Sequence, residues 1–347
     1  MGNYYKLACS FGNLYKGLKK SCRNVRWKDS VTGYEANGLR NTLELSEKLQ
    51  NGTYKISAYQ QFTIHEPKER TILASRLVDR QFQRSLCDCG LYQDIVEHLV
   101  RDNVACQTGR GVDDTLRRMK VHLMRHYRQN GNEGWALKCD IWHFFPETRH
   151  DVAKGMVRKY VSDPDAIEVV CDIIDSFGGD KGIGLGSQIS QLVELLVLND
   201  VDHYIKERLK IRGYIRYMDD FILIHPDKEY LKRCLAEIRA KLESMGYELN
   251  HKTQIFPLRQ GIPFLQWRFV LTETGKIVML MDAAKVNKQR QRIKKLWARE
   301  VAGTVKPGAT RESVRAFLAN AARGDTWKIQ QGMKKYYEEI TGRRYAE

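Results

Sequence analysis

Residues 211–228, IRGYIRYMDDFILIHPDK, set two adjacent carboxylates, Asp219 and Asp220, at a tight turn between two runs that read as strands. The pattern from Gly213 to Ile224 predicts an antiparallel hairpin around Met218-Asp219. A solvated turn favours aspartate on its own, so the pair by itself carries no chemistry. A third carboxylate alters that reading. Asp140 ends the apolar strand Trp135–Ile141, 79 residues before Asp219. Two neighbouring antiparallel strands bring Asp140 to the Asp219-Asp220 turn. Three carboxylates at one point repel unless cations neutralise them, and hard oxygen ligands suit Mg²⁺. Two such ions about 3.5–4 Å apart activate an attacking oxygen and stabilise a leaving one in phosphoryl transfer.

Charge points to the partner of such a centre. The 347 residues hold 58 Lys+Arg against 42 Asp+Glu, a net charge of +16 and a pI near 9.4. A field of that sign keeps a surface soluble and concentrates polyanions, of which nucleic acid is the commonest. Residues 282–347 carry 16 Lys/Arg against 7 Asp/Glu, and residues 1–60 carry 10 against 4. The ends hold the surplus base and the middle holds the acids, as suits a catalytic centre flanked by surfaces for a phosphate backbone.

Composition excludes several classes. The 42% apolar and 29% charged content is that of a folded globular chain. Eight scattered cysteines show no zinc spacing, and Cys87-Asp88-Cys89 is too tight for an ordinary disulfide, so all read as reduced thiols. No apolar run approaches the roughly 18 residues that span a membrane, and no signal peptide is expected. The expected compartment is cytoplasmic.

Periodicity supplies the elements around the turn. Leu39, Leu43, Leu45 and Leu49 predict a helix stopped by Asn51-Gly52. Phe62–Ile72, which contains Pro67, predicts an edge hairpin. Residues 73–101 read as mostly helical, and Ser190–Leu209 as one long helix. Leu231, Leu235, Ile238, Leu242 and Met245 predict an amphipathic helix ended by Gly246. Strands follow at Tyr247–Leu249 and Phe264–Leu271. A basic helical tail runs from about Ala283, its core drawn from Trp297, Phe317, Leu318 and Trp327. The order predicts an α+β palm whose antiparallel sheet is covered by helices.

On these motifs the sequence resembles reverse transcriptases over nearly its whole length. Tyr217-Met218-Asp219-Asp220 is similar to the family's YxDD box, and Leu137–Phe145 (LKCDIWHFF) to the box with the first catalytic aspartate. His65–Arg70 (HEPKER) resembles the fingers segment of bacterial members, and Ala105–Gly111 (ACQTGRG) the block after it. Leu249–Thr253 (LNHKT) and Phe264–Phe269 (FLQWRF) look like the last two palm boxes. The resemblance implies a right-hand polymerase fold. Residues 1–60 would be an N-terminal basic extension, 61–134 fingers, 135–281 a palm with a fingers-associated insert near 155–189, and 282–347 a short helical thumb.

The resemblance also implies site roles. Asp140, Asp219 and Asp220, with Ile141, would hold two Mg²⁺ ions, for which Mn²⁺ substitutes. Arg70, helped by Lys68, would bind the incoming dNTP, since a guanidinium forks onto phosphate oxygens. Ile141, Leu185, Gly186 and Gln188 would line the same nucleotide site. Phe145 would clash with a ribose 2′-OH while also packing the core. Lys252 would face the leaving pyrophosphate as neutralising charge or general acid. Tyr217 and Met218, with Phe264, Leu265, Gln266 and Trp267, would grip the primer and template.

One departure narrows the family. Most reverse transcriptases carry QGxxxSP where residues 182–191, GIGLGSQISQ, place Leu185 for the glutamine and Gln191 for the proline. That form resembles the reverse transcriptases of diversity-generating retroelements, which misincorporate opposite template adenines. An aliphatic side chain cannot hydrogen-bond the incoming nucleotide, so fewer contacts report a misplaced base. The implied partners are a template RNA, its RNA/cDNA duplex, dNTPs and a small basic oligomeric accessory variability protein. The alternatives are a retron, abortive-infection or group II intron-like enzyme. A further one is an RNA-binding scaffold that kept the fold and lost the chemistry, against which three intact carboxylates count.

Overall fold

A computed structural model describes residues 3–65 and 69–345. The N-terminal segment forms α1 (Tyr4–Ala8), α2 (Phe11–Ser21), α3 (Asp29–Ala36) and α4 (Gly38–Gln50). The inward face of α4 is Gly38, Thr42, Leu45, Ser46 and Leu49, which leaves Leu39 and Leu43 of the leucine pattern exposed. β1 (Gln60–Ile64) and β2 (Arg70–Ala74) pair as a separate antiparallel hairpin, with Ile64 opposite Arg70. Pro67 and Lys68 lie outside the described residues. α5 (Leu77–Leu86) packs on α2. A Cβ at position 17 would sit 2.5 Å from the Gln81 carbonyl oxygen, so Gly17 is what lets these two backbones touch.

A π-helical turn (Cys87–Leu91) joins α5 to α6 (Tyr92–Val96), and α7 (Val112–Asn130) leads to β3 (Trp135–Asp140). α8 (Phe144–Glu147), α9 (His150–Tyr160), α10 (Pro164–Asp175), α11 (Gln188–Val197) and α12 (Asn199–His203) come next. The expected single helix over 190–209 is therefore divided. It breaks at Leu198 and finishes in a π-helical turn, Tyr204–Arg208. β4 (Gly213–Tyr217), β5 (Asp220–His225) and, after α13 (Lys228–Ser244), β6 (Gln254–Pro257) join β3 in a four-stranded antiparallel sheet of order β4-β5-β3-β6. The strand expected at Tyr247–Leu249 is only a bridge from Leu249 to Ile141, and the ladder forms at Gln254–Pro257 instead.

Strand burial explains why this sheet lies in the middle of the molecule. Leu137, Cys139, Tyr214, Phe221 and Leu223 point into the larger core, with α11 and α13. Ala136, Ile215, Ile222 and Ile224 point the other way, onto α7 and a second sheet. Both faces are covered, which is why Phe221–Ile224 is a continuous apolar run rather than an alternating one.

The second sheet is β7 (Ile262–Phe264), β8 (Trp267–Leu271) and β9 (Ile277–Met281), antiparallel in that order. The strand expected at Phe264–Leu271 is broken because Leu265 and Gln266 take left-handed backbone (φ 45° and 75°) and form a tight hairpin turn. α14 (Ala283–Val301), α15 (Ala309–Ala321) and α16 (Trp327–Thr341) close the chain. Their core is Val286, Ile293, Val314, Met333 and Tyr337, with Phe317 and Leu318 at its margin. Trp327, expected inside, is 70% exposed. All eight cysteines are free thiols. No helix among the described residues is long and apolar enough to cross a membrane.

The α15–α16 turn is stitched to β9. Asp325 N donates to Met279 O at 2.9 Å, and Met279 N donates to Asp325 Oδ2 at 2.8 Å. A Cβ on Gly324 would lie 2.2 Å from the Trp267 ring and 2.9 Å from Met279 O. Gly324→Ala is therefore expected to lower unfolding free energy by ~1–3 kcal/mol, as overpacking does. Urea denaturation measures this, and an unchanged midpoint would contradict the packing described.

Candidate active site

The hairpin turn at the end of β4 is held from behind. Tyr217 pairs with Asp220, which leaves Met218 and Asp219 as the two turn residues, and Met218 has a left-handed φ of 58°. That conformation is unfavourable for a residue with a side chain. Arg216, 1% exposed, supports it by donating Nη1 to Met218 O at 3.0 Å. Its other nitrogens donate to Asp202 (2.7 and 2.6 Å) and to Leu195 O (2.9 Å). Tyr214 OH also donates to Asp202, which has no exposed surface.

The outer side of β4 is closed as well. Arg216 N donates to Asp102 O at 2.9 Å, and Val104 N donates to Arg216 O at 3.1 Å. Burial alone would raise the Asp102 carboxyl, but His122, Lys206 and Arg118 outweigh it and hold the group well below the usual range.

Register then sets Asp140 opposite Asp220. Ile141 N donates to Asp219 O at 3.2 Å, and Asn250 N donates to Asp140 O at 2.7 Å. The backbone of all three aspartates is therefore tied into one junction. Lys138, two residues before Asp140 on the same strand face, donates Nζ to Asp220 Oδ2 and to Pro263 O, each at 3.1 Å. Burial pushes the Asp220 carboxyl up to about 6; Lys138 opposes this, while Asp140 and Asp219 add to it. Asp220 Oδ1 is buried without a hydrogen-bond partner among the described residues. A buried, unpartnered carboxylate oxygen beside two further carboxylates is a donor set that fits a divalent cation.

A cavity of about 520 Å³ opens beside this junction, bordered by Lys138, Asp220, the Leu265–Gln266 turn and Lys285. Burial pushes the Lys285 ammonium down; Asp282 opposes this and Lys138 adds to it. Phe264 and Trp267 are buried in the core, so in this box the turn rather than the rings is on the open side. Tyr217 is half-buried between the two cores, and Met218 Sδ lies 3.9 Å from Cys106 Sγ.

Backbone bonds bring the remaining segments together. Ile183 N donates to Phe145 O at 2.9 Å, and Leu73 N on β2 donates to Leu185 O at 3.1 Å. Loop 182–187 is thus fastened to the Phe145 turn on one side and to the hairpin on the other. Gly186 (φ 125°) keeps this approach open, since a Cβ there would sit 3.1 Å from Leu73 O. Gln188 accepts from Arg84 Nη1 at 3.1 Å. Arg70, the first residue of β2, is exposed, and Lys68 is outside the described residues. Lys252 is exposed, with its backbone N donating to Asn250 Oδ1 at 3.1 Å.

Sequence reasoning missed Lys138, Arg216, Asp202 and Arg84. The two-residue strand period from Asp140 was a usable signal for Lys138. An acid within the apolar run 192–202 was one for Asp202.

A family model described as reverse transcriptase (RNA-dependent DNA polymerase) matches residues 67–269. Among curated relatives, Protein YkfC of Escherichia coli strain K12 is 26% identical, over 46% of this chain and 53% of that one. Telomerase from Candida albicans, solved with a fragment of telomeric RNA, matches at TM-score 0.50 and 13% identity. The match covers 85% of this chain and 56% of that one. The 3Dpol RNA-dependent RNA polymerase of Sicinivirus matches at TM-score 0.50 and 14% identity, over 80% and 60%. The chain spans about half the length of the curated relative. At such identities the solved structures speak for the fold alone, and that fold is the right-hand polymerase.

Replacing Arg216 with Met removes one partner of a buried ion pair and leaves Asp202 charged and uncompensated. The expected loss of stability is ~3–5 kcal/mol. Chemical denaturation measures it, and a loss near zero would contradict the buried ion pair described.

Proposed function

The chain belongs to the reverse transcriptase family, and we propose that it is an RNA-directed DNA polymerase whose copying is error-prone at template adenines, serving a diversity-generating retroelement. The polymerase reading is carried by Asp140 lying opposite Asp220 next to Asp219, with one Asp220 oxygen buried and unpartnered. Asp140, Asp219, Asp220 and the Ile141 carbonyl would hold two divalent cations, Mg²⁺ or Mn²⁺. When bound, these would supply positive charge to the attacking 3′ oxygen and to the leaving pyrophosphate.

The chain's own residues would do the positioning. Arg70 and Lys68 would bind the triphosphate. The Phe145 ring would exclude a 2′-OH, and Leu185, Gly186 and Gln188 would border the nascent pair. Tyr217 and Met218 would meet the primer end, with Phe264, Leu265, Gln266 and Trp267 behind it. Lys252 would neutralise the leaving pyrophosphate or give it a proton. The nucleic-acid partners would be a template RNA and the RNA/cDNA duplex, held by the basic C-terminal helices. A small basic oligomeric accessory protein would complete the assembly.

The mutagenic reading rests on Leu185 and Gln191 departing together. Leu185 is half-buried, with its backbone anchored to β2. Its aliphatic side chain has no hydrogen bond to offer a nucleotide, so a wrong base forfeits less there.

Purified chain should extend a DNA primer on an RNA template in Mg²⁺. The Asp219→Ala, Asp220→Ala double variant should cut that rate about a thousandfold or more, since several kcal/mol of charge stabilisation goes with the ligands. Extension at the original rate by the double variant excludes the polymerase reading. Sequenced cDNA from Leu185→Gln should carry several-fold fewer errors at template adenines. An unaltered error spectrum excludes the role given to Leu185.

A further inference from the structure

Glu194 lies in α11 within the apolar run Leu192–Leu198 and has no exposed surface. Its Oε1 is 2.8 Å from Thr148 Oγ1, and its Oε2 has no partner among the described residues. Thr148, the residue after α8, is equally buried. The Thr148 hydroxyl donates to Phe144 O at 2.9 Å and accepts from Tyr247 OH at 2.7 Å. A hydroxyl has one proton, and both Phe144 O and Glu194 Oε1 lie within its reach, so the two acceptors share one donor. Burial pushes the Glu194 carboxyl well above the usual range; Thr148 and Arg216 oppose this and Asp219 adds to it.

This hydroxyl sits where two pieces of the nucleotide site meet. The Thr148 carbonyl accepts from Gly182 N at 2.8 Å, and the Phe145 carbonyl accepts from Ile183 N at 2.9 Å. The Phe144 ring packs between Tyr247 and Phe145, with centroids 5.3 and 5.9 Å away. Loss of the Glu194 carboxyl would leave Thr148 one bond short and free the turn that both Phe145 and loop 182–187 depend on.

We propose that Glu194 is a positioning residue for nucleotide selection: through Thr148 it fixes the α8 turn that presents Phe145 and anchors the loop leading to Leu185. This rests on the polymerase reading above. Glu194 itself meets no nucleotide.

The test compares Glu194→Met, which keeps a side chain of similar length but no oxygen for Thr148, with Glu194→Gln, which keeps one. Thr148→Val deletes the bond from its other side. Hydrogen exchange of the Gly182 and Ile183 amides reads the geometry without any substrate. The KM and kcat for dNTPs and for ribonucleotides in primer extension read selection. Glu194→Met and Thr148→Val are expected to speed exchange at both amides several-fold. Both should also raise the dNTP KM and narrow the dNTP preference, while Glu194→Gln matches the unsubstituted chain. Either of two results overturns the proposal: wild-type exchange and preference in Glu194→Met and Thr148→Val, or Glu194→Gln behaving like Glu194→Met. A wild-type chain that extends no primer removes the polymerase reading and nucleotide selection with it. Extension with an unaltered preference overturns the role of Glu194 alone.

Discussion

A guanidinium and a carboxylate withdrawn completely from water are tolerated only when nearly every proton and lone pair is used. Arg216 and Asp202 meet that condition behind the Asp219-Asp220 turn. Arg216 reaches Asp202 on α12, Leu195 O on α11 and Met218 O in the turn itself, and Tyr214 adds a further donor to the carboxylate. A single side chain therefore links the strand, the two helices behind it and the strained residue of the turn. The left-handed backbone at Met218 is stable because its carbonyl has this fixed charged donor.

The sheet extends that constraint to Asp140. Register pairs it with Asp220, and the period of two puts Lys138, Asp140 and Asp220 on the face that looks toward β7. Lys138 partly balances Asp220, yet Asp220 keeps a raised affinity for its proton and an oxygen with no donor among the described residues. Negative charge is thus collected and only partly neutralised, which is the electrostatic condition for holding a cation. Apolar cores on both faces keep the strands from sliding, since a slip of one residue would turn every side chain of β5 to the wrong core.

The side of the junction next to loop 182–187 is built differently. Loop 182–187 has no ladder of its own and is held by single backbone bonds to Phe145, Thr148 and Leu73 and by side-chain bonds from His150 to Gly182 O and from Ser187 to Gln83. Segments anchored by a few bonds yield more easily than sheet interiors. The carboxylates are held by a sheet with an apolar core on each face, and the loop beside them by fewer bonds.

Much of this was legible in the sequence because its signals are local. Alternation and turn residues located β3 and the β4–β5 hairpin, the three-four spacing located α13, and box order indicated a polymerase palm. Where local signals ran out, tertiary structure decided. Residues 190–209 are apolar enough for one helix, but the demand to place Asp202 on Arg216 accompanies a break at Leu198. Phe264–Leu271 reads as one strand because nothing in Leu265 or Gln266 announces left-handed backbone. Trp327 is apolar and yet exposed, since the C-terminal core was filled by Val286, Ile293, Val314, Met333 and Tyr337. The sequence by itself determined which residues alternate, which carboxylates could meet and which family the boxes resemble. Only the folded chain decided which acids were paired, buried or left with an orphan oxygen, because pairing and desolvation depend on neighbours on other elements, as Asp202 depends on Arg216 and Asp220 on Lys138.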